Sequence, residues 1–175
     1  MSSRVNPVNS IVIGLGGAGG DIVTKVKEEV KRLYRFLGKP PVENLKFLVF
    51  DTNRRDLNSL KEKGMKEDEL RLVPPASLDR LRSINRGVRD DVLRYASTGQ
   101  GLGMCRAAAG ALFNVVEESI ISPTISSIVE ELRGIPGASR KEFLVVLIAS
   151  LGGGTGSGLL PSLAISIYNT FKKLD

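Results

Sequence analysis

The segment Phe143-Leu144-Val145-Val146-Leu147-Ile148-Ala149 reads as a buried strand, and it leads into Gly152-Gly153-Gly154-Thr155-Gly156-Ser157-Gly158. Five of these last seven residues are glycine, which costs a fold roughly 0.5–1 kcal/mol per residue relative to alanine because it has the most backbone freedom to lose. Such a run indicates that another group approaches the backbone closely. In a strand–loop–helix unit that group is typically a phosphate, because unpaired N–H groups at the helix N-terminus attract negative charge.

A second glycine cluster occurs in the same context near the N-terminus. Gly14-Leu15-Gly16-Gly17-Ala18-Gly19-Gly20 follows the apolar run 11–13 and precedes residues 21–37, where apolar side chains recur at helical spacing. The pattern predicts a strand, a glycine loop and a helix over residues 21–37. Ten of the nineteen glycines lie in these two windows, which favours two loops that serve one ligand.

Composition is typical of a single cytoplasmic globular domain. The 175 residues are 42% hydrophobic, which is enough for a substantial core. No apolar run reaches the ~18 residues that a membrane span needs, and residues 1–10 lack the apolar centre of a signal peptide. A single cysteine, Cys105, and the absence of histidine argue against an internal disulfide, a structural zinc site and a Ser-His-Asp triad.

The net charge of +6 raises the question of a nucleic-acid partner. Six arginines fall between residues 71 and 94, but they are interleaved with Asp79, Asp90 and Asp91 and have only Tyr95 as a nearby stacking ring. This pattern is typical of a solvated, partly paired surface. We therefore do not expect nucleic acid as a partner.

Strand-like and helix-like segments alternate along the chain, and the strands at 45–50 and 143–149 are apolar throughout except for Lys46. This pattern predicts an α/β fold: a Rossmann-like three-layer domain with a mostly parallel sheet and helices on both faces. Two further polar loops are predicted at residues 51–53, after the second strand, and at residues 100–103, before a helix rich in alanine. Because ligands bind at the carboxyl ends of parallel strands, the four loops should converge on one anionic ligand.

These loops resemble, in order, those of the tubulin/FtsZ superfamily. Residues 152–158 match its Gly-Gly-Gly-Thr-Gly-Ser/Thr-Gly signature, and residues 16–21 resemble its first phosphate loop in the FtsZ form. Asp51-Thr52-Asn53 resembles the Asn-Thr-Asp turn of FtsZ, and residues 100–109 resemble the third loop with the helix behind it. Residues 54–95 align only loosely with the family.

The resemblance implies a GTP/GDP site with Mg²⁺, and head-to-tail self-association of the full-length protein. The implied nucleotide-binding residues are Gly16, Gly17, Ala18, Gly19, Gly20, Asp21, Asp51, Thr52, Asn53, Gln100, Gly101, Leu102, Gly103, Gly152, Gly153, Gly154, Thr155, Gly156 and Ser157. No residue is implied as a metal ligand. A bulkier residue at Gly154 or Gly156 is expected to block the approach of phosphate. The Asp21 carboxylate either accepts from the guanine amino edge or stabilises the first turn of its helix.

The sequence also departs from the family pattern. FtsZ chains are usually acidic, whereas this one is basic, and nothing in it resembles the later part of the family fold. That part includes the acidic loop that positions the attacking water in the neighbouring subunit's site. We therefore expect residues 1–175 to be a GTP-binding domain of a longer protein, without a catalytic acid of its own. We also expect this domain alone to bind GTP with little or no turnover.

Two other functions remain open from the sequence. Gly14, Gly16 and Gly19 satisfy the Gly-x-Gly-x-x-Gly pattern of NAD- or FAD-binding Rossmann domains, with Asp51 as the ribose-binding acid. That alternative leaves the glycine cluster at 152–158 unexplained, and Asp51 lies farther along the chain than the usual spacing. The second alternative is a scaffold that binds the nucleotide without hydrolysing it.

Overall fold

A computed structural model describes residues 8–99 and 101–174, which form a sheet of four parallel strands. The strand order is β3-β2-β1-β4, and every described pair of neighbours is parallel. This confirms the predicted Rossmann-like α/β class. The strands are β1 (Asn9–Leu15), β2 (Leu45–Asp51), β3 (Leu70–Leu72) and β4 (Phe143–Ala149).

Helices cover both faces of the sheet. One face packs against α1 and α2 through a small core that includes Val12, Val23 and Val49, and the other packs against α3 to α7 through a larger core. None of the described helices is long and apolar enough to cross a membrane. The helices are α1 (Gly16–Phe36), α2 (Arg54–Glu62), α3 (Leu78–Ile84), α4 (Asp90–Ser97), α5 (Arg106–Val116), α6 (Ser122–Arg133) and α7 (Gly154–Leu174).

The register of the strands brings three loops to one level. Leu15, the last residue of β1, lies opposite Phe50 of β2 and Ala149 of β4. β1 is central and almost wholly buried, as its β-branched residues Ile11, Val12 and Ile13 favour. The segments that leave β1, β2 and β4 therefore start side by side at the carboxyl edge of the sheet.

Helix α1 begins at Gly16, five residues before the predicted start at Asp21. The predicted apolar stripe is also misplaced, since Ile22, Val26 and Leu33 are exposed and Val23 is the buried member. The helix instead packs closely through its glycines: a Cβ on Gly19 would lie 2.4 Å from the carbonyl oxygen of Ile148. Close packing of a glycine face replaces the broad apolar stripe that periodicity predicts.

Residues 54–95 contain a strand that the sequence does not indicate. β3 is three residues long and pairs only with the last part of β2, from Val49 to Asp51. A 3₁₀ turn at Glu67–Glu69 precedes it. So short a segment, with Arg71 at its centre, shows no period that could identify it.

The helix type changes at Ser122-Pro123. A π-helical turn at Glu117–Ile121 links α5 to α6, and Pro123 lies in the first turn of α6. Proline is tolerated there because the first N–H groups of a helix have no intrahelical partner. On α5, most residues from Ala108 to Val116 are buried, while Ala107 is exposed.

The sheet is not fully covered at its β4 end. Leu144 and Val146, on the face that α1 covers elsewhere, are 55% and 38% exposed. β4 pairs with β1 on one side and has no strand beside it on the other among the described residues. The expectation of a sheet buried on both faces therefore holds for β1 and fails for this part of β4.

Candidate functional site

A cavity of about 360 Å³ lies at the carboxyl ends of β1, β2 and β4. All four predicted loops contribute to its wall, which confirms that they converge. The predicted site residues that line it are Gly16, Gly17, Ala18, Asp51, Asn53, Gly101, Leu102, Gly103, Gly153, Gly154, Thr155 and Gly156.

Two long helices begin at this cavity. The first residues of α1, Gly16 to Ala18, and those of α7, Gly154 to Gly156, belong to its wall. The first N–H groups of each helix have no intrahelical acceptor, and the helix dipoles add positive potential there. Neither helix has an acidic residue in its first turn. The backbone N–H groups at these two helix starts can therefore bind an anion.

Glycines at these helix starts allow the loops to pack against one another. A Cβ on Gly154 would lie 2.2 Å from the Gly103 carbonyl oxygen, and one on Gly156 would lie 2.8 Å from that of Leu15. Gly16 has φ +72°, a left-handed conformation that favours glycine. A bulkier residue at Gly154 or Gly156 would therefore displace a neighbouring segment of the backbone. This clash within the protein adds to the expected block of phosphate binding.

Three predicted residues of the first loop, Gly19, Gly20 and Asp21, do not line the cavity. A Cβ on Gly20 would lie 2.4 Å from the Leu60 side chain of α2, so Gly20, like Gly19, serves helix packing. Asp21 forms an ion pair with Lys63 at 2.7 Å and is about half exposed. Because α1 begins at Gly16, Asp21 is not in the first turn, and its interpretation as a first-turn acid is wrong.

Three other predicted residues also lie behind or beside the cavity wall. Gly152 is exposed, and Ser157 is buried with its hydroxyl donating to the Gly153 carbonyl oxygen. Thr52 is buried, and its Oγ1 lies 2.9 Å from Oγ1 of Thr155 in a hydroxyl–hydroxyl hydrogen bond. Thr52 therefore contacts a cavity residue directly. Gln100 lies outside the described residues.

The cavity contains two carboxyl groups, those of Asp51 and Asp56. Asp51 is 2% exposed; its Oδ1 accepts from the Asn53 N–H at 3.0 Å, and its Oδ2 has no partner among the described residues. Burial raises the pKa of Asp51 to about 6, with a smaller contribution from the Asp56 carboxylate, against the Asn53 hydrogen bond, which lowers it. An unpartnered buried oxygen in a cavity wall indicates a site for a proton or a cation.

Sequence reasoning missed three lining residues: Leu15, Asp56 and Ser150. Asp56 lies in the first turn of α2, whose N-cap is Asn53, with the Asn53 side chain accepting from the Arg55 N–H. An acid three residues after an Asx N-cap is a recognisable helix-start pattern. That spacing is the signal that could have identified Asp56, whereas Leu15 and Ser150 gave none.

Among the described residues that line the cavity, none is lysine or arginine. Within segment 71–94, Arg82 pairs with Asp90 and Arg89 with Asp91, as the interleaved pattern predicts for a partly paired surface. Arg106 donates to the Leu151 carbonyl oxygen at 3.3 Å and so holds the loop before Gly152. The structure also shows no group of three or more His, Cys, Asp or Glu side chains, within the part that it describes, that could hold a metal by itself.

Comparison with known proteins agrees with this geometry. The family model described as tubulin like matches residues 11–91. CetZ from Methanosaeta thermophila shares the fold, with a TM-score of 0.60, 20% identity, and coverage of 94% of this chain and 34% of that one. CetZ1 from Haloferax volcanii, a GDP-bound monomer, has a TM-score of 0.51 and 25% identity over 93% of this chain and 38% of its own. No curated protein sequence matches the chain.

The chain thus spans about a third of the length of these solved structures. The family match covers β1, α1, β2 and the segment up to α4, while the structural likeness extends over nearly all of the chain. Sequence match, strand order and loop convergence agree with one another. The family model and the two solved structures together support membership of the tubulin/FtsZ superfamily.

Proposed function

We propose that this chain is the GTP/GDP-binding domain of a tubulin/FtsZ-like cytoskeletal protein, cytoplasmic as its cysteine content favours, and that the cavity at the carboxyl edge of the sheet is its nucleotide site. The observation that carries the proposal is the convergence of the α1 and α7 N-termini on one cavity without a lysine or arginine in its described wall. Phosphate is then bound by backbone N–H groups, each worth about 1.5–3 kcal/mol toward a charged acceptor.

The acidic pair in the cavity supports Mg²⁺ as the companion ion. Two carboxylates facing a nucleotide's phosphates would repel them unless a cation lay between. Mg²⁺ is commonly held by one or two carboxylates together with phosphate oxygens, and Asp51 offers an unpartnered oxygen while Asp56 lies in the same wall. Asp51 and Asp56 are therefore the residues that would hold the ion, with the nucleotide supplying further ligands.

Guanine as the base is supported by relatedness. CetZ1 from Haloferax volcanii is bound to GDP, and the present chain shares its fold. The described residues do not include a side chain that we assign to base recognition. Asp21, the one polar candidate from the first loop, pairs with Lys63 outside the cavity.

Head-to-tail assembly belongs to the same proposal for the full-length protein. Met104, next to Gly103, is 84% exposed, and Leu151, before the signature glycines, is 70% exposed. Large apolar side chains at the cavity rim suit burial by a neighbouring subunit. Hydrolysis is then completed by that neighbour, and the isolated chain binds GTP with little or no turnover.

Calorimetric titration of the chain with GTP, GDP, ATP and NAD, with and without Mg²⁺, tests the proposal. We expect GTP and GDP to bind, ATP and NAD to bind far more weakly, and the affinity for GTP to fall when Mg²⁺ is removed. Tight binding of NAD in place of GTP would overturn the proposal in favour of a dinucleotide domain.

Gly153 offers a substitution that acts on the cavity alone. A Cβ there would meet nothing nearer than the Ser150 carbonyl oxygen at 3.8 Å, so this position in the cavity wall has room for a side chain and Gly153→Val should narrow the cavity. Gly152→Val is the matched control, because Gly152 has equal room and does not line the cavity. We expect Gly153→Val to lower the affinity for GTP at least about tenfold, because one or two backbone contacts to phosphate are lost. Gly152→Val should leave the affinity unchanged.

Circular dichroism melts of both variants show whether the fold is retained. Equal GTP affinity in the two variants, with the fold intact, would contradict the assignment of this cavity as the phosphate site.

A further inference from the structure

The opposite, amino-terminal end of the sheet holds a second and larger cavity, of about 690 Å³. We infer that it binds an extended acidic peptide, which adds as a strand to the free edge of β2. This inference concerns a different surface from the proposed nucleotide site and does not depend on it.

The edge of β2 is free along its first half. β3 pairs with β2 only from Val49 to Asp51, and the chain before β3 turns away as the 3₁₀ turn at Glu67–Glu69. Residues 45–48 therefore have β1 on one side and no strand on the other among the described residues. Alternate residues of a strand direct their N–H and C=O groups to opposite edges, so half of these groups face the free side. An extended chain could bond to them.

The cavity lies along this free edge and has two walls of different character. Leu45 and Phe47 of β2 face the α1 side of the sheet, where the C-terminal half of α1 forms one wall. Ile128 of α6 and Ile135, just after the end of α6, form the other wall. Both isoleucine side chains pack at the edge of the larger core.

Positive charge on the α1 wall is not neutralised within the protein. Two cations of the cavity are paired, Lys27 with Glu69 and Lys46 with Glu131. Lys31, Arg35 and Lys39 of the lining have no ion pair with any described residue. With Lys66 they make four cations, against the two remaining carboxylates of the lining, Glu43 and Asp68. A partner with negative charge complements this wall.

The two walls specify the sequence pattern of the partner. Side chains of an added strand alternate between the faces of the sheet, so every second one would point to the basic α1 wall and the others to the wall formed by Ile128 and Ile135. The expected partner therefore alternates acidic and apolar residues and has no proline at the positions that pair with β2.

The probe is a fluorescein-labelled synthetic peptide of about seven residues, a typical strand length, that alternates valine and glutamate. Fluorescence anisotropy measures its binding to the full chain. A peptide with lysine in place of glutamate tests charge, and one with proline at alternate positions tests backbone pairing. We expect only the valine–glutamate peptide to bind.

Lys31→Glu combined with Arg35→Glu reverses charge on the cavity wall. Lys25→Glu is the control, since Lys25 is exposed on the same helix and does not line the cavity. We expect the double variant to weaken binding about tenfold or more and the control to leave it unchanged. All three positions are exposed, so the fold should tolerate these changes, and melting curves verify it.

Four outcomes would overturn the inference. Equal binding of the lysine peptide would exclude charge complementarity, and equal binding of the proline peptide would exclude strand addition. If none of the peptides bound, the inference that this strand edge binds an acidic peptide would be wrong. Dimerisation of the protein itself, seen by sedimentation and abolished by the double variant, would assign the cavity to a second copy of the chain.

Discussion

The two ends of the sheet each offer groups that can bind an anion, but those groups come from different parts of the chain. The carboxyl end uses backbone N–H groups at the starts of α1 and α7, with acidic side chains in the wall. The amino end uses lysine and arginine side chains beside a free strand edge. Backbone groups are fixed by the fold and need short contiguous motifs, whereas side-chain charge can be collected from distant segments. Donors for an anion thus come from short contiguous runs at the carboxyl end and from several distant segments at the amino end.

The largest expected effect at the amino end comes from the buried ion pair between Lys27 and Glu69. Their side chains are 4% and 15% exposed, and Lys27 Nζ also donates to the Gly64 carbonyl oxygen. Lys27→Met leaves the partly buried Glu69 carboxylate with the Lys66 N–H as its remaining partner, which should reduce the free energy of unfolding by about 3 kcal/mol. Urea denaturation measures the loss.

Lys61→Met is the control for that experiment, because the Lys61–Glu67 pair on the neighbouring segment is more than half exposed. Exposed pairs contribute little, so this variant should unfold as the wild type does. Similar losses in both variants would show that burial of Lys27 does not set the stability of this end.

At the carboxyl end, the largest expected effect comes from Gly154→Ala. The new methyl group would lie 2.2 Å from the Gly103 carbonyl oxygen and 3.0 Å from that of Leu102. Because both are backbone atoms that cannot rotate away, the third loop or the start of α7 must move, at a cost of about 3 kcal/mol. Thermal melting measures this, with Gly152→Ala as the control that should leave the melting temperature unchanged.

Asp51→Asn tests the acidic character of the same end. The pKa of Asp51 is about 6 in the folded protein against an ordinary 3.8, so between these values the folded protein binds more protons than the unfolded one. Wild-type stability, relative to Asp51→Asn, should therefore be highest below pH 4 and fall by roughly 2–3 kcal/mol as pH rises through 6. Urea denaturation of the unliganded proteins across this range checks it. A stability difference that does not vary with pH would show that Asp51 is not held in the protonated form.

The smallest effect is expected from the hydrogen bond between Thr52 and Thr155. Thr52→Val keeps the shape of the side chain and removes the hydroxyl, which leaves Thr155 Oγ1 without the partner now at 2.9 Å. The free energy of unfolding should fall by about 1 kcal/mol. Thr52→Ser restores the hydroxyl and should recover most of the loss, which denaturation curves can resolve. Equal loss in both variants would point to the methyl group as the stabilising part.

Sequence predicted the carboxyl end better than the amino end. The glycine loops at 16–20 and 152–158 and the turn at 51–53 are contiguous, and the rule that parallel strands end at one edge brings them together. The boundary between the first loop and its helix was less well predicted, since α1 begins within the first glycine cluster. Periodicity weighs apolar side chains and does not register a helix that packs through glycine, as Gly19 and Gly20 do.

Asp56 and β3 show why part of the structure escaped prediction. Asp56 lies in a charged segment without a chemical motif and reaches the cavity only because Asn53 starts α2 at the end of β2. β3 is held by pairing with β2 over three residues, too few for a pattern. In both cases the neighbour in space, and not the neighbour in sequence, decides the position.

By itself, the sequence determined the α/β class, the order of the loops and the resemblance to the tubulin/FtsZ superfamily, because each follows from short runs of residues that act locally. Only the tertiary structure decided which glycines face the cavity and which face Ile148 or Leu60. It also decided that Asp51 is buried beside Asp56, and that lysines and isoleucines from distant segments border the free edge of β2. Those properties depend on distances between elements far apart in the chain, and packing alone sets such distances.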